Sequence, residues 1–365
     1  MASRPWLLER VDFLPQNGRL HSLRIRGRRK LAQEMARIFV TAALAEHSYT
    51  PALTEMRELA ARDPADWFIA HSQAALPVAA AAAARWKARL GFDCEDLLAY
   101  APGEPSDVLR KLEAKYLPRC AYVSAASTLM AEQLARDHHL SPPLALYNVF
   151  PLELAQRMPA PSERPPASVL RLHWFGQTIG PGRGLEDAIA ALAHLSDGVE
   201  LHLRGNPSEG YREKLENLAG AARQRLFFHP ALDHDEVVRA MELFDVGLAL
   251  ERPEHGNYSR TVTNKLFSYL LAGLAVAASD TPGQREVMSQ IPAAGFVYPA
   301  GDSRTLAAGL LLWVRDRQSL RAAQQASWNA ARTRFCWDCE REKFLAIFER
   351  RASRELAPAV ESAVL

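Results

Sequence analysis

No run of apolar residues in the sequence approaches the roughly 20 that cross a bilayer, so no segment reads as a transmembrane helix. The alanine run at 79–84 is bounded by Pro77 and Arg85 and reads as a buried helix. The opening residues, MASRPWLLER, lack the long apolar core of a secretory signal. Cysteine is scarce: Cys94, Cys120, Cys336 and Cys339. Cys336 and Cys339 form one CxxC with no second pair to complete a closed zinc site, so all four read as reduced cytosolic thiols. No clustered Asp/His set is present either, and no metal is expected. A strong charge of one sign is also missing. A net charge of +2 over 365 residues argues against a nucleic-acid binder. What these absences leave is a soluble, cytoplasmic globular protein, long enough for two domains with a core each.

What the chain does have is strand–helix alternation, twice over. Residues 1–65 stand outside it. There Asn17-Gly18 reads as a hairpin turn, and helices are expected at 30–45 and 52–62. Arg24, Arg26, Arg28, Arg29 and Lys30 form a basic cluster, either a solvated helix start or a contact for an anionic membrane surface. From residue 66, strands at 67–70, 88–92, 121–123 and 144–147 alternate with helices, one of them capped by Ser127. His71, Asp93, Glu95, Asp96, Ser124 and Asn148 all fall just after strand ends, the edge at which open parallel sheets bind ligands. The stretch QRMPAPSERPPAS (156–168) reads as a stiff linker. A second set follows: a strand at 169–175, the glycine-rich loop GQTIGPGRG (176–184), a helix at 185–195, and strands at 199–203, 226–228, 246–250, 274–278 and 296–298. Two last helices, 320–334 and 337–351, have no strand between them and either pack outside the sheet or cross back to the first domain. The tail after Ala357 is expected to fray. The expected fold is α/β: two Rossmann-like domains facing a cleft, with the first domain at 1–155, the linker at 156–168, the second domain at 169–335 and a terminal helix and tail at 336–365.

Two helix starts in the second domain suit an anion. The glycine loop follows a strand and opens a helix. Its glycines let backbone N–H groups approach a phosphate, and Arg183 adds a fixed charge. In TVTNKLFSYLLAGLAVAASDT (261–281), Thr263 or Asn264 caps a helix that Gly273 ends. Leu266, Phe267, Leu270 and Leu271 form its buried face, while Lys265 and Ser268 share another. Beyond the next strand, Thr281-Pro282-Gly283 reads as a turn. Free N–H groups, the helix dipole and the Lys265 ammonium favour a phosphate, although a core helix with a solvated lysine gives the same pattern. Two such contacts from separate βα turns suit the pyrophosphate of a nucleotide-sugar. An NADP-dependent oxidoreductase is the rival, with Arg204 taking the 2′-phosphate.

The strings FGQTIGPGRGLEDAIAAL, VELHLRG, RLFFHP, ELFDVGLAL, TNKLFSYLLAGLAVAASDTPGQREV and FVYPAGDSRTLAAGL occur in the order found in family-four glycosyltransferases of the GT-B fold. The chain resembles that family from about residue 66 to 351, most specifically over NKLFSYLLAG. The resemblance implies transfer of a sugar from a nucleotide-sugar to a glycan or glycolipid acceptor, usually with retention and without an essential metal. It puts the donor in the second domain and the acceptor on the first. By position it assigns His71 to the donor sugar, and Arg183 and Lys265 to the leaving diphosphate. Gly176, Gln177, Gly182, Asn264, Leu266, Ser268 and Glu254 become donor-binding residues, and Glu95 or Asp96 orients the acceptor. The chain also departs from the family. Ser268 stands where a ribose-binding glutamate is usual, and Arg260 stands at the paired acidic position. Glu251 and Glu254, in the same loop, are the candidate substitutes. Gln177 stands where an arginine is common, and the N-terminus lacks the usual strand and glycine-rich loop. These departures keep open a catalytically reduced, glycosyltransferase-like binding protein.

Overall fold

A computed structural model describes residues 8, 9, 11, 19–165, 168–253 and 256–355. The expected turn at Asn17-Gly18, the candidate Glu254 and the tail after Ala357 lie outside the described residues. The chain divides into two compact units, Met1–Ala145 and Leu146–Leu365.

The first unit opens with α1 (Arg19–Ala36), α2 (Ala42–Tyr49) and α3 (Leu53–Ala60). Where one helix is expected at 30–45, the chain makes two. α1 ends at Ala36, and the Thr41 hydroxyl starts α2 afresh by accepting from Leu44 N at 3.2 Å. Alternation follows through β1 (Trp67–Ala70), α4 (Leu76–Trp86), β2 (Arg89–Cys94), α5 (Ser106–Tyr116), β3 (Tyr122–Ala125), α6 (Thr128–His138) and β4 (Leu144–Ala145). The four strands are parallel and pair in sequence order. The alanine run lies in α4, where Ala79, Ala80 and Ala83 pack with Phe92, Leu112 and Met130 in the core. Buried Glu46 on α2 ties three helices together: it accepts from Arg57 at 2.7 Å, from the Tyr116 hydroxyl at 2.5 Å and from Lys115. Ser127 caps α6, accepting from Met130 N at 3.1 Å.

The second unit contains β5 (Leu170–Ile179), α7 (Leu185–Leu192), β6 (Val199–Pro207), α8 (Tyr211–Ala219), β7 (Leu226–His229), α9 (His234–Ala240), β8 (Val246–Ala249), α10 (Gly256–Arg260), α11 (Asn264–Ala272), β9 (Ala275–Ser279), α12 (Pro282–Met288), β10 (Gly295–Tyr298), α13 (Ser303–Arg315), α14 (Arg317–Thr333) and α15 (Trp337–Glu355). Its six parallel strands run β10-β9-β8-β5-β6-β7. Counted from the β7 edge, that is third, second, first, fourth, fifth, sixth, so the winding reverses between β5 and β8. The strands β8 and β9 are wholly buried and almost wholly apolar, as a sheet covered on both faces requires. Leu172, Trp174, Leu201 and Leu248 pack on one face with Leu185 and Leu306, and Val276 and Ala278 pack on the other with Phe267, Leu270 and Ala331.

The units part between Ala145 and Leu146, ahead of the proline-rich segment, because the residues after β4 belong to the second core. Tyr147, Val149, Ala155 and Met158 are buried there. α15 fastens them: Trp337 N donates to Phe150 O at 2.9 Å, Leu152 N to Asp338 at 3.0 Å and Tyr147 N to Glu340 at 3.3 Å. Within 156–168, Arg164 is buried and donates to Gly273 O at 3.2 Å and to Ala272 O, closing the end of α11. The Thr281-Pro282-Gly283 turn is instead the start of α12. Thr281 accepts from Gln284 N at 3.3 Å, and Pro282 takes the first helical position, where its missing N–H costs nothing.

Candidate functional site

The residues of the second unit meet at the carboxyl ends of β5 and β8, the point where the winding reverses. β5 runs on to Ile179 with a register shift between Phe175 and Thr178. Gly176 and Gln177 thus lie in an irregular strand, and the loop proper begins at Gly180. Gly182 and Gly184 hold φ of +75° and +70°, the left-handed region that glycine enters without strain. A Cβ on Gly184 would stand 2.1 Å from Leu250 O, so this glycine lets the loop lie directly on the end of β8. Arg183, between them, is exposed to solvent.

The second helix start, that of α11, follows β8, the strand beside β5. Thr263 precedes α11 without a side-chain cap, and Asn264 is exposed. Leu266 is fully buried, and its N–H donates to Thr263 O at 3.0 Å. Lys265 turns back toward the sheet. Its Nζ lies 2.8 Å from Glu251 Oε1, 3.4 Å from Thr263 Oγ1 and 5.5 Å from the centre of the Trp174 ring. Glu251 sits just past β8 and is held by its backbone, whose carbonyl accepts from Ser279 Oγ. Gln284 Nε2 donates in turn to that hydroxyl at 2.9 Å. Glu251 Oε2 and Gln284 Oε1 are buried without a hydrogen-bond partner. An unpaired buried carboxylate oxygen is costly, so the arrangement favours a ligand that brings a donor.

The other sequence-derived candidates are occupied locally. Ser268 is fully buried, and its hydroxyl donates to Asn264 O at 3.0 Å. Arg260 donates to Gly256 O at 2.8 Å. Arg204 is buried and donates to Pro230 O at 3.0 Å, and burial lowers its pKa from the usual guanidinium range. Sequence reasoning missed Arg252, which donates to Asp187 at 2.6 Å while the other Asp187 oxygen accepts from Gly301 N at 2.9 Å. Burial pushes the Asp187 carboxyl above its ordinary range. It also missed Ser279 and Gln284, and saw Glu251 without its partner. The signal was available, since Glu251 and Ser279 fall at strand ends, as His71 and Asp93 do.

In the first unit, parallel pairing brings the ends of β1, β2 and β3 side by side. His71 follows β1 with its side chain 68% exposed, and its Nδ1 lies 3.3 Å from Asp93 Oδ2. Asp93 Oδ1 accepts the Ser124 hydroxyl at 2.6 Å. Both oxygens of Asp93 are thus engaged, one beside His71 and one with the Ser124 hydroxyl. Glu95 and Asp96 are exposed just beyond β2. Among the described residues, no group of three or more His, Cys, Asp or Glu is arranged to hold a metal ion. Cys336 and Cys339 are free thiols with sulfurs 3.4 Å apart. Burial pushes Cys336 up to about 11, opposite to the lowering that activates a thiol.

Residues 171–316 match the family model of glycosyl transferases group 1. No curated protein sequence matches the chain. Among solved structures, Anabaena HepE in complex with UDP is similar at 19% identity, with a TM-score of 0.67 and 82% of each chain covered. Sucrose-phosphate synthase from Thermosynechococcus elongatus is similar at 15% identity and TM-score 0.62, over 79% of this chain and 74% of that one. A glycosyltransferase from Rickettsia africae follows at 13% identity and TM-score 0.63, over 81% and 79%. The fold is thus that of the two-domain GT-B glycosyltransferases. The match to the glycosyl transferases group 1 model lies within the second unit, in agreement with the resemblance read from the sequence.

Proposed function

We propose that the protein transfers a hexosyl group from a nucleotide-sugar, with retention, to a glycan or lipid-linked acceptor. The observation that carries this reading is the pair of βα turns at the β5/β8 reversal. One brings the glycine loop with Arg183, the other the α11 start with Lys265, and the unpartnered Glu251 Oε2 lies beside them. Two cations and two sets of backbone N–H groups suit a diphosphate, and a buried carboxylate oxygen suits a sugar or ribose hydroxyl. HepE, of the same fold, is described in complex with UDP and with UDP-glucose. As the diphosphate departs, Arg183 and Lys265 stabilise its developing charge, Lys265 sharing its ammonium with Glu251, and the acceptor attacks on the same face. The reading keeps His71 as the hydrogen-bond partner of a donor-sugar hydroxyl, and Glu95 or Asp96 as the group orienting the acceptor. It requires no metal and places the protein in the cytoplasm, with peripheral membrane contact through Arg24, Arg26, Arg28, Arg29 and Lys30.

The test is transfer and binding with a panel of nucleotide-sugars and nucleoside diphosphates, with and without EDTA. Saturable UDP-sugar or GDP-sugar turnover that survives EDTA is expected. Loss of both binding and turnover in EDTA would overturn the metal-free reading. The second reading, a binding protein with little turnover, is favoured by Ser268, whose hydroxyl is engaged with Asn264 O. Tight donor binding without transfer or hydrolysis across the panel would select it.

A further inference from the structure

The helix α1 is built inside out for a helix of a water-soluble domain. Its buried residues are the small or single Ser22, Ile25, Ala32 and Ala36, at 2–8% exposure. Its leucines face outward: Leu20 is 79% exposed, Leu23 65% and Leu31 64%, with Met35 at 39%. At 3.6 residues per turn these four fall on one stripe, with Gly27 between them, on the face opposite the buried residues. Ile38 and Phe39, just past the helix, prolong the apolar surface at 83% and 52% exposure. A helix that packed only for its own unit would bury the leucines and expose the alanines.

The charge around the stripe indicates what covers it. α1 carries six Arg or Lys against one Glu, in a chain whose net charge is only +2. Arg28 flanks one edge of the stripe, Arg26 and Lys30 flank the other, and Arg24 and Glu34 fall within its width. Arg28 pairs with Glu55, Arg29 donates to Ser48 O at 3.2 Å, and Arg37 pairs at 2.8 Å with Glu34, the lone acid of the helix. Arg24, Arg26 and Lys30 are exposed. An apolar stripe with cations along both edges matches a surface that is oily below and anionic above. Leucines enter the acyl boundary while the long basic side chains reach the headgroups. Among the described residues no helix is long and apolar enough to cross a membrane, so contact through these residues would be lateral.

We infer that α1 lies flat in an anionic phospholipid surface, with Leu20, Leu23, Leu31 and Met35 inserted and Arg24, Arg26, Arg28 and Lys30 at headgroup level. The inference deepens the membrane contact of the proposed function, adding an inserted apolar face to the basic cluster. Its test uses no sugar transfer, so it can fail or hold independently of the enzymatic reading.

The full chain is sedimented with vesicles of phosphatidylcholine with and without phosphatidylglycerol, at low and high salt. Wild type, Leu23→Ser/Leu31→Ser and Arg24→Gln/Lys30→Gln are compared, with thermal melting and size-exclusion chromatography on each. Wild type is expected to sediment with the anionic vesicles only. The leucine variant should lose at least about tenfold in partitioning at either salt, with an unchanged melting temperature because both residues are exposed. The charge variant should lose its affinity chiefly at low salt. Three results would overturn the inference: no sedimentation of wild type, equal sedimentation of the leucine variant, or a wild-type dimer that the leucine variant converts to monomer. The last would make the stripe an interface between copies.

Discussion

Lys265 Nζ lies 2.8 Å from Glu251 Oε1, and the two side chains are only 14% and 19% exposed. The lysine that reads from sequence as a free phosphate ligand is one half of a largely buried pair. Removing either partner leaves the other as an uncompensated charge in a poorly solvated place.

Lys265→Ala is therefore expected to destabilise the protein by roughly 2–3 kcal/mol as well as to slow turnover. The double change Lys265→Ala/Glu251→Gln should recover most of the melting temperature and none of the rate. A melting temperature for Lys265→Ala equal to wild type would show that the pair contributes nothing to the fold. Arg183, exposed, offers the contrast: Arg183→Ala should leave stability unchanged and lower kcat/KM on the order of 100-fold, as loss of one charge-stabilising contact does.

Asp93 holds His71 on one side and the Ser124 hydroxyl on the other. His71→Ala should cost no measurable stability, because the imidazole is mostly exposed, and about tenfold in kcat, equivalent to one hydrogen bond. Asp93→Asn should reproduce much of that loss through a misoriented ring, with donor KM nearly unchanged. Wild-type kcat in both variants would remove the strand-end cluster from the reaction.

Acid should weaken the second unit through its histidines. His173 is fully buried, stacked on Phe244 at 4.2 Å between ring centres, and neither ring nitrogen has a partner. His202 shares hydrogen bonds with His229 at 3.0 Å and Glu200 at 3.1 Å. Burial lowers the pKa of all three, with Arg204 adding repulsion at His173 and His229. Because the folded pKa lies below the unfolded one, the unfolded chain binds more protons once the pH falls below about 6.5. Stability is thus complete above that pH and declines below it, by at most about 1.4 kcal/mol per pH unit for each histidine. Melting temperatures at pH 7.5 and 5 measure the slope. His173→Phe, which continues the aromatic stack without a titrating group, should flatten it, and an unchanged slope would exclude His173 as a source.

Two neighbouring glycines should respond differently to the same change. Gly182 has a positive φ but open space around it, so Gly182→Ala should cost about 1 kcal/mol of backbone strain. Gly184 has a positive φ and the Leu250 carbonyl against it, so Gly184→Ala should cost more than about 2 kcal/mol and displace the loop. Thermal melting and UDP titration of the two variants read both effects. Equal costs would mean that the loop does not rest on β8.

Much of this architecture is legible in the residues themselves. Short apolar runs against a period of 3.6 mark the strands and helices of both units, and Gly273, Ser127 and the run at 79–84 act as their residue types predict. What stayed illegible was non-local. Nothing in the sequence alone pairs Lys265 with Glu251, because the contact depends on β8 and α11 meeting at the reversal of winding. Arg252 and Asp187 are 65 positions apart and meet for a related reason. The proline-rich segment reads as a boundary by composition, yet Arg164 within it is buried by its bonds to the end of α11. In α1 the basic residues are plain in the sequence, but the outward face of Leu20, Leu23 and Leu31 shows only in their exposure.

Tyr147 and Glu340, which hydrogen-bond across the opening and closing segments of the second unit, are 193 positions apart. On a ribosome adding about 5–20 residues per second, about 10–40 s pass between the synthesis of the two. The first unit, by contrast, pairs its strands with their immediate predecessors and can assemble as it emerges. For that interval the second unit carries Tyr147, Phe150 and Leu152 without the helix α15 that fastens them. Nascent chains stalled before residue 337 should therefore be protease-sensitive in the second unit and resistant in the first.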